Sequence, residues 1–326
     1  MGVQRNTGWG GRMKRGLVLC VGEPLLDLVA FPAGTPLLRA RTLRMCAGGG
    51  AANVATGLVA LQVRAGVMGT VGADDLGGWL LAALAARGVD TSRVGVVARR
   101  RTGLVFLSMD AAGNAEFLPA REGTADLALG PEHLPRTGLA GVAWLHFSSG
   151  PLRTAKGRQL ITTLRRLAVA RGIPTSVDAN LRPKVWPSLQ ANVDAVHKAA
   201  RGVDLIKCNA GEALALTGAR SVDVALARLR ALAGRAAVVT LGGDGAVALG
   251  QGGVVHVRAP KVEVVDATGA GDAAMAGITA RLLHAPAWNN AVLAAALKDG
   301  CRLGSRVCTR LGATTALPLP RQRSSR

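Results

Sequence analysis

The stretch Asp266-Ala267-Thr268-Gly269-Ala270-Gly271-Asp272 decides the interpretation of this sequence. It follows a β-branched run at 262–265, which predicts a strand, and precedes small residues at 273–280, which predict a closely packed helix. Strand, glycine-rich turn and helix together are typical of a phosphate site, because glycines permit a sharp turn and free N–H groups at the helix start face an anion. The partial positive charge of the helix end adds to this attraction.

Asp272 is the unusual member of this stretch, because its carboxylate would repel a phosphate bound at the turn. A general base for a hydroxyl that attacks phosphorus fits this position, since the N–H groups would hold the transferring group while the carboxylate takes the proton. The alternative is an ordinary glycine-rich turn in which the aspartate caps the helix. The seven residues alone leave both interpretations open.

The composition is that of a large globular chain. The 326 residues can bury the core of one large domain, and 49% hydrophobic residues exclude a disordered chain. No apolar run reaches the length of a transmembrane helix. The segment 16–22 superficially resembles a secretion signal, but Glu23 and Asp27 interrupt it, so we expect a core strand there. Basic tails are expected at 1–15 and 319–326, around a domain at 16–318, with Met13 as an alternative start.

Cysteine usage and charge narrow the class of protein. The five cysteines are odd in number and lack CxxC spacing, which predicts reduced thiols in a cytoplasmic protein without disulfides or a zinc site. The net charge of +20 comes from the tails and from arginines scattered along predicted helices. Because the chain has no tyrosine and four phenylalanines, a nucleic-acid surface with stacking residues is not expected. Anionic substrates fit the charge better.

Strands and helices alternate along the chain. Strands are predicted at 17–21, 65–70, 142–147, 174–177, 203–207 and 236–241. Helices are predicted at 47–61, 76–87, 154–171, 191–201 and 221–233. Hairpins are predicted at 103–118, around a turn at 110–114, and at 245–257. This order indicates an α/β fold with a mostly parallel sheet, covered on both faces, and the first hairpin is expected to form a small separate sheet.

Polar motifs follow several of these strands, where ligands of such a sheet bind. They include GEPLLDL at 22–28, GGGAAN at 48–53, DANLRP at 178–183, NAGE at 209–212 and TLGGDG at 240–245. Each has a plain structural alternative. Asp27 could be a solvated turn residue, the three glycines a loop, and Arg182 a simple partner of Asp178. Asn209 and Glu212 could form a helix cap.

Two of the motifs resemble the signatures of the PfkB/ribokinase family of carbohydrate kinases: GGGAANVA at 48–55 and DATGAGDAAMAG at 266–277. The motifs REGTAD at 121–126 and CTRLGA at 308–313 agree in order and spacing, so that the resemblance covers about 17–318. Within the family the chain is most similar to bacterial fructokinases and 2-keto-3-deoxygluconate kinases. Unlike them, it has Pro119 and Ala120 in place of an aromatic residue before Arg121, and no Phe directly after Asp272.

The resemblance implies a ribokinase-like three-layer fold with a mostly parallel central sheet and a small β lid, built from about 28–42 and 97–121. It also implies ATP-dependent phosphorylation of a sugar hydroxyl with Mg²⁺, and family members often bind a monovalent cation such as K⁺. A homodimer formed through the lid would be consistent with it. A non-catalytic sugar-binding regulator on the same fold is the alternative outside the enzymes.

Residue roles follow from the resemblance alone. It makes Asp272 the base and places the anion hole at Gly269, Ala270 and Gly271. It assigns sugar binding to Asp27, Gly49, Gly50, Asn53, Arg121 and Arg182. It assigns the nucleotide site to Asn180, Thr240, Gly242 and Gly245. It assigns water-mediated Mg²⁺ binding to Asn209 and Glu212, and a monovalent cation to Asp266 and Thr268, with Gly312 at a matching position.

Fructose is the expected acceptor, and 2-keto-3-deoxygluconate is the alternative. Arg121 and Arg182 could hold the carboxylate of the keto acid by paired hydrogen bonds. The keto-acid kinases that the chain resembles, however, use tyrosines beside the lid arginine, and this chain has none. Another sugar, a nucleoside or a sugar phosphate is a further alternative within the family.

Overall fold

A computed structural model describes residues 16–109 and 115–319. The predicted tail at 1–15, nearly all of the tail at 319–326 and the predicted turn at 110–114 lie outside the described residues. The strands are β1 (Leu17–Val21), β2 (Leu25–Phe31), β3 (Thr42–Gly48), β4 (Ala65–Gly72), β5 (Asp90–Val97), β6 (Leu104–Met109), β7 (Ala115–Ala120), β8 (Val142–Ser148), β9 (Thr175–Asp178), β10 (Leu205–Asn209), β11 (Ala236–Thr240), β12 (Ala246–Gly250) and β13 (Gly253–Val257). The helices are α1 (Gly50–Ala60), α2 (Asp75–Ala86), α3 (Ala155–Ala170), α4 (Leu189–Ala200), α5 (Ala210–Thr217), α6 (Val222–Leu232), α7 (Ala270–Leu282) and α8 (Asn290–Val307).

Nine strands form the main sheet, in the order β13-β12-β11-β10-β9-β8-β1-β4-β5. The strands from β11 to β5 pair in parallel, and β12 and β13 add an antiparallel edge. Apolar side chains of β1 alternate between two cores: Val18 and Cys20 belong to one, and Leu17, Leu19 and Val21 to the other. The sheet is therefore buried on both faces, as parallel sheets are, and the predicted three-layer α/β class is confirmed.

Helices separate onto the two faces of this sheet. Buried residues of α1, α2, α7 and α8 join the first core, and those of α3, α4, α5 and α6 join the second. Helices α7 and α8 pack against each other with glycines at the contact: a Cβ atom built on Gly277 would lie 2.8 Å from the backbone of Asp299 and Gly300. The small residues after Asp272 are thus explained by close helix packing.

Four strands form a second, smaller sheet, in the order β3-β2-β6-β7. One side of this sheet packs against Leu311, which follows α8. Together with Leu311, the sheet residues Leu25, Val29, Cys46, Val105 and Leu107 form a small apolar cluster, with Phe117 packed against it. The predicted hairpin at 103–118 corresponds to β6 and β7. The segments predicted as a lid, 28–42 and 97–121, cover only part of this sheet. They leave out most of β3, whose last two residues had been included in the predicted helix at 47–61.

One predicted element is wrong. Residues 262–265 form no strand, because the chain at 258–268 runs irregularly before α7. Val262 and Val264 are exposed and line a cavity, so their β-branched side chains shape a surface instead of filling a sheet. Strands β2, β3 and β5 and helices α5 and α8 were not predicted.

Replacement of Gly277 by alanine should destabilise the fold by about 1–3 kcal/mol, because backbone atoms of α8 cannot move aside cheaply. The control is Gly78→Ala in α2, where a Cβ meets nothing within 4 Å. That change should stabilise the protein by about 0.5–1 kcal/mol, since alanine restricts the unfolded chain. Urea unfolding measures both, and equal effects of the two substitutions would contradict the packing described.

Candidate functional site

The glycine-rich turn begins helix α7. Gly269 precedes its first residue in a left-handed conformation, with φ of 78°. A Cβ atom there would lie 2.6 Å from the Cβ of Ala313, so only glycine fits. The N–H of Ala270 donates to the carbonyl of Ala267 at 3.2 Å. The N–H groups in the first turn of a helix have no intrahelical partner, and residues 270–272 line a cavity. The turn can therefore present N–H groups to an anion.

Asp272 is in the first turn of α7 and is not its cap, since Gly269 occupies the capping position. Its Oδ2 accepts a hydrogen bond of 2.8 Å from Nδ2 of Asn53, which α1 positions. Burial, followed by the charge of Asp178, raises the pKa of Asp272 to about 6. The carboxylate is thus ionised near neutral pH while remaining a better proton acceptor than an exposed aspartate.

Two cavities meet at Asp272. The larger cavity, of about 700 Å³, extends from the turn of α7 towards the ends of β10 and β11. The smaller cavity, of about 370 Å³, lies between α1, the small sheet and the loop after β9. Residues lining both cavities are Phe117, Asn180, Arg182, Thr268, Gly269 and Asp272. A group in one cavity could therefore be transferred to a molecule in the other beside this carboxylate.

The structure brings the predicted site residues together around these cavities. The smaller cavity is lined by Asp27, Gly49, Gly50, Asn53, Arg121 and Arg182. The larger cavity is lined by Asn180, Thr240, Gly242, Gly245, Asn209, Glu212, Ala270 and Gly271. Asp266 lines neither cavity and lies buried behind the turn.

Asp27 is a buried residue of β2, so its interpretation as a solvated turn residue is wrong. Burial, and then the charge of Asp272, raises the pKa of Asp27 to about 7. A Cβ atom at Gly48 would overlap the Asp27 carboxylate, and Gly49 has a φ of 94° as the residue that begins α1. Gly48 therefore makes room for Asp27. A Cβ atom at Gly49 would overlap the backbone carbonyl of Glu23, so both glycines are required and are not a plain loop.

Arg121 is buried between two carboxylates. Its Nη2 lies 2.6 Å from Oδ2 of Asp126, and its Nη1 lies 3.6 Å from Oε1 of Glu23. Burial opposes its charge, but Glu23 and Asp126 outweigh this effect and raise the pKa of Arg121. Its guanidinium is thus already neutralised within the protein.

Lys207 is a functional candidate that the sequence analysis missed. Its Nζ forms a buried ion pair of 2.7 Å with Oδ2 of Asp178 and would lie 2.9 Å from a Cβ at Gly271. Burial opposes the ammonium charge, but Asp178 and Glu212 outweigh it and raise the pKa of Lys207. A lysine inside the apolar strand at 205–208 was the available signal. Arg182 does not pair with Asp178; its guanidinium lies over the ring of Phe117.

Asn209 and Glu212 form the helix cap that the sequence left as an alternative. The side chain of Asn209 accepts from the N–H of Glu212 at 2.8 Å, and Oε2 of Glu212 accepts from the N–H of Asn209 at 2.9 Å. Oε1 of Glu212 accepts from the N–H of Leu181 at 2.8 Å. Burial and the charge of Asp178 raise the pKa of Glu212. This carboxylate therefore joins the loop after β9 to the start of α5.

The carboxylate of Asp266 holds two loops together. Its Oδ1 accepts from the N–H of Thr268 and its Oδ2 from the N–H of Gly312, both at 2.8 Å. Oγ1 of Thr268 is buried without a hydrogen-bond partner. Within residues 16–109 and 115–319, no group of three or more His, Cys, Asp or Glu side chains is placed to hold a metal ion by itself.

An α/β fold with two cavities that meet at a buried carboxylate fits a phosphotransferase, and comparison with known proteins identifies the family. The sequence model of the family described as "pfkB family carbohydrate kinase" matches residues 15–320 of this chain. The chain belongs to the PfkB family of carbohydrate kinases. It is therefore a phosphotransferase of a family that uses ATP and acts on a sugar hydroxyl. No helix within the described ranges is both long and apolar enough to cross a membrane.

Relatives of two specificities resemble the chain. Aminoimidazole riboside kinase of Salmonella typhimurium is 31% identical over 94% of this chain and 93% of its own length. Fructokinase of Klebsiella pneumoniae is 33% identical over 93% of this chain and 96% of its own length. A solved double mutant of fructokinase from Vibrio cholerae O395, with fructose, ADP and potassium ion bound, has a TM-score of 0.84 and 30% identity over 93% of this chain and 96% of its own.

Replacement of Glu212 by glutamine should lower the free energy of unfolding by about 1–3 kcal/mol, because an amide NH₂ group would face a backbone N–H that now donates to carboxylate. Urea unfolding without nucleotide or divalent metal measures this loss. Glu122→Gln, at an exposed position, is the control. Equal stability of the two variants would contradict the structural role of Glu212.

Proposed function

We propose that this chain transfers the terminal phosphoryl group of ATP to a hydroxyl of fructose. The observation that supports the proposal is the placement of Asp272, whose carboxylate lies where the two cavities meet, at the start of a helix that faces an anion. ATP would occupy the larger cavity and the sugar the smaller one. The small sheet would act as the lid that closes over the sugar.

In this proposal Asp272 accepts the proton of the attacking hydroxyl as the oxygen–phosphorus bond forms. The N–H groups at Gly269, Ala270 and Gly271 hold the oxygens of the transferring group, and the ammonium of Lys207 adds positive charge beneath them. Asn53 orients the carboxylate by its hydrogen bond. Asp27, Gly49 and Gly50 bind sugar hydroxyls, while Thr240, Gly242 and Gly245 line the nucleotide site with Asn180.

The residues of the larger cavity fit Mg²⁺ held largely through water. Oδ1 of Asp178 is buried without a hydrogen-bond partner and belongs to a residue that lines this cavity. Asn209 and Glu212 line the same cavity, and since their side-chain oxygens already accept backbone N–H groups, they would contact Mg²⁺ through its water ligands. When bound, the ion would neutralise charge on the phosphates.

A monovalent cation near Asp266 and Thr268 is also proposed. The unpartnered Oγ1 of Thr268 supports it, together with the potassium ion bound in the similar fructokinase structure from Vibrio cholerae. A cytoplasmic location is proposed from the five cysteines, all of which are free thiols.

The charges that line the smaller cavity favour a neutral sugar over a keto acid. Arg121 is already neutralised by Asp126 and Glu23, and Asp27 adds another acidic group nearby. A substrate carboxylate placed beside Arg121 would meet these acids. The other cations that line the cavity, Arg182 and Lys184, are exposed to solvent, which weakens their attraction for a carboxylate. The same argument does not separate fructose from aminoimidazole riboside, which is also neutral and is the substrate named for one relative.

A coupled assay of ADP release and sugar phosphate formation tests the proposal over fructose, ribose, aminoimidazole riboside and 2-keto-3-deoxygluconate. We expect kcat/KM for fructose to exceed that for the keto acid by at least about tenfold, because a charged group without its buried partner costs about 1–3 kcal/mol. Equal or reversed values would reject fructose in favour of the acid. A larger kcat/KM for the riboside would assign that substrate. Binding of sugar and ATP without transfer would favour the non-catalytic regulator.

A further inference from the structure

Phe117 has no role in the chemistry proposed above, yet it lies where the two cavities meet. Its side chain lines both of them. Among the described residues of the small sheet, it is the one that does so. Its strand, β7, is the edge of that sheet, and its ring packs on the small apolar cluster that includes Leu311.

Two contacts join Phe117 to the loop after β9. The guanidinium carbon of Arg182 lies 5.6 Å from the centre of the phenyl ring. The backbone carbonyl of Phe117 accepts a hydrogen bond of 3.3 Å from Nζ of Lys184. Both cationic residues are exposed, and an exposed cation–π contact is weak. Breaking this contact therefore costs little free energy.

The ring is the apolar member of the junction between the cavities. The other residues that line both are Asn180, Arg182, Thr268, Gly269 and Asp272, which are polar or lack a side chain. Water that enters such a junction would compete with a sugar hydroxyl for the phosphorus atom, because it is a nucleophile of similar size and reach. A phenyl ring at this point reduces the space that water can occupy.

We propose that Phe117 is a positioning residue that closes the junction by stacking on Arg182 and so directs the phosphoryl group to the sugar instead of water. The inference rests on the proposed function. In the competing reaction the oxygen of water bonds to the terminal phosphorus of ATP, and the bond from that phosphorus to the bridging oxygen breaks. The proton of the water passes to Asp272, and the products are ADP and inorganic phosphate.

The neighbouring residue supplies a matched control. Phe117 and Pro119 of β7 line the smaller cavity, whereas Leu118 between them does not. The side chain of Leu118 is 56% exposed. Leu118→Ala therefore removes a large apolar group from the same strand without changing the junction.

The test compares moles of ADP with moles of sugar phosphate in the presence of the best sugar of the panel. Wild-type protein and Leu118→Ala should give a ratio near one. Phe117→Ala should release ADP in severalfold excess, with inorganic phosphate making up the difference, and should raise KM for the sugar more than it lowers kcat. Phe117→Trp keeps an aromatic face for Arg182 and should restore the ratio towards one.

Equal ratios for Phe117→Ala and Leu118→Ala would overturn the inference. If Phe117→Ala fails to fold, Phe117→Leu keeps the apolar contact with the cluster but offers no aromatic face, and a ratio near one for that variant would also overturn it. A wild-type protein that forms no sugar phosphate would instead contradict the proposed function, which the same assay reports separately.

Discussion

One constraint governs this site: a carboxylate must stay both buried and ionised beside a place where phosphate binds. Asp272 is surrounded by like charge, since Asp178 raises its pKa and Asp272 in turn raises that of Asp27. An isolated buried carboxylate would become neutral. The hydrogen bond from Asn53, the charges of Lys207 and Arg182 and the start of α7 offset these effects. Their balance keeps the pKa near neutrality, where a base is useful.

The topology of the sheet places the charged groups around Asp272 close together. Parallel strands end at a common edge, so that Asp178 at the end of β9, Lys207 near the end of β10 and the start of α7 become neighbours although they are distant in sequence. Helix α1 brings Asn53 from a segment more than 200 residues away from Asp272 in the chain. Close packing of α7 on α8 through Gly277 fixes the direction in which the turn points.

Sequence reasoning was effective where the signal is local. The alternation of β-branched and helical runs predicted the main sheet, and the glycine pattern at 269–271 predicted the turn of α7. It failed where long-range contacts determine the conformation of a segment or the role of a residue. Residues 262–265 have β propensity but pair with none of the described strands, and Val262 and Val264 line a cavity instead. Lys207 was not predicted as a site residue, because its role depends on the ion pair with Asp178. Only the pairing of β9 with β10 places these two residues side by side. The sequence offered the cap formed by Glu212 as one of two alternatives, whereas its hydrogen bond from the N–H of Leu181 depends on the fold.

The pH dependence of kcat/KM tests the central claim most directly, measured on the wild-type protein and on Asp272→Asn, with Asp75→Asn in the first turn of α2 as the control. A base must be deprotonated to act, so activity of the wild type and the control should fall as the pH drops through the pKa of Asp27, about 7, and then through that of Asp272, about 6. Asp272→Asn should lose the acidic limb near pH 6 and retain roughly 10⁻² to 10⁻⁴ of kcat while still binding sugar and ATP. An unchanged pH profile with kcat within about threefold of wild type would contradict the assignment of Asp272 as the base.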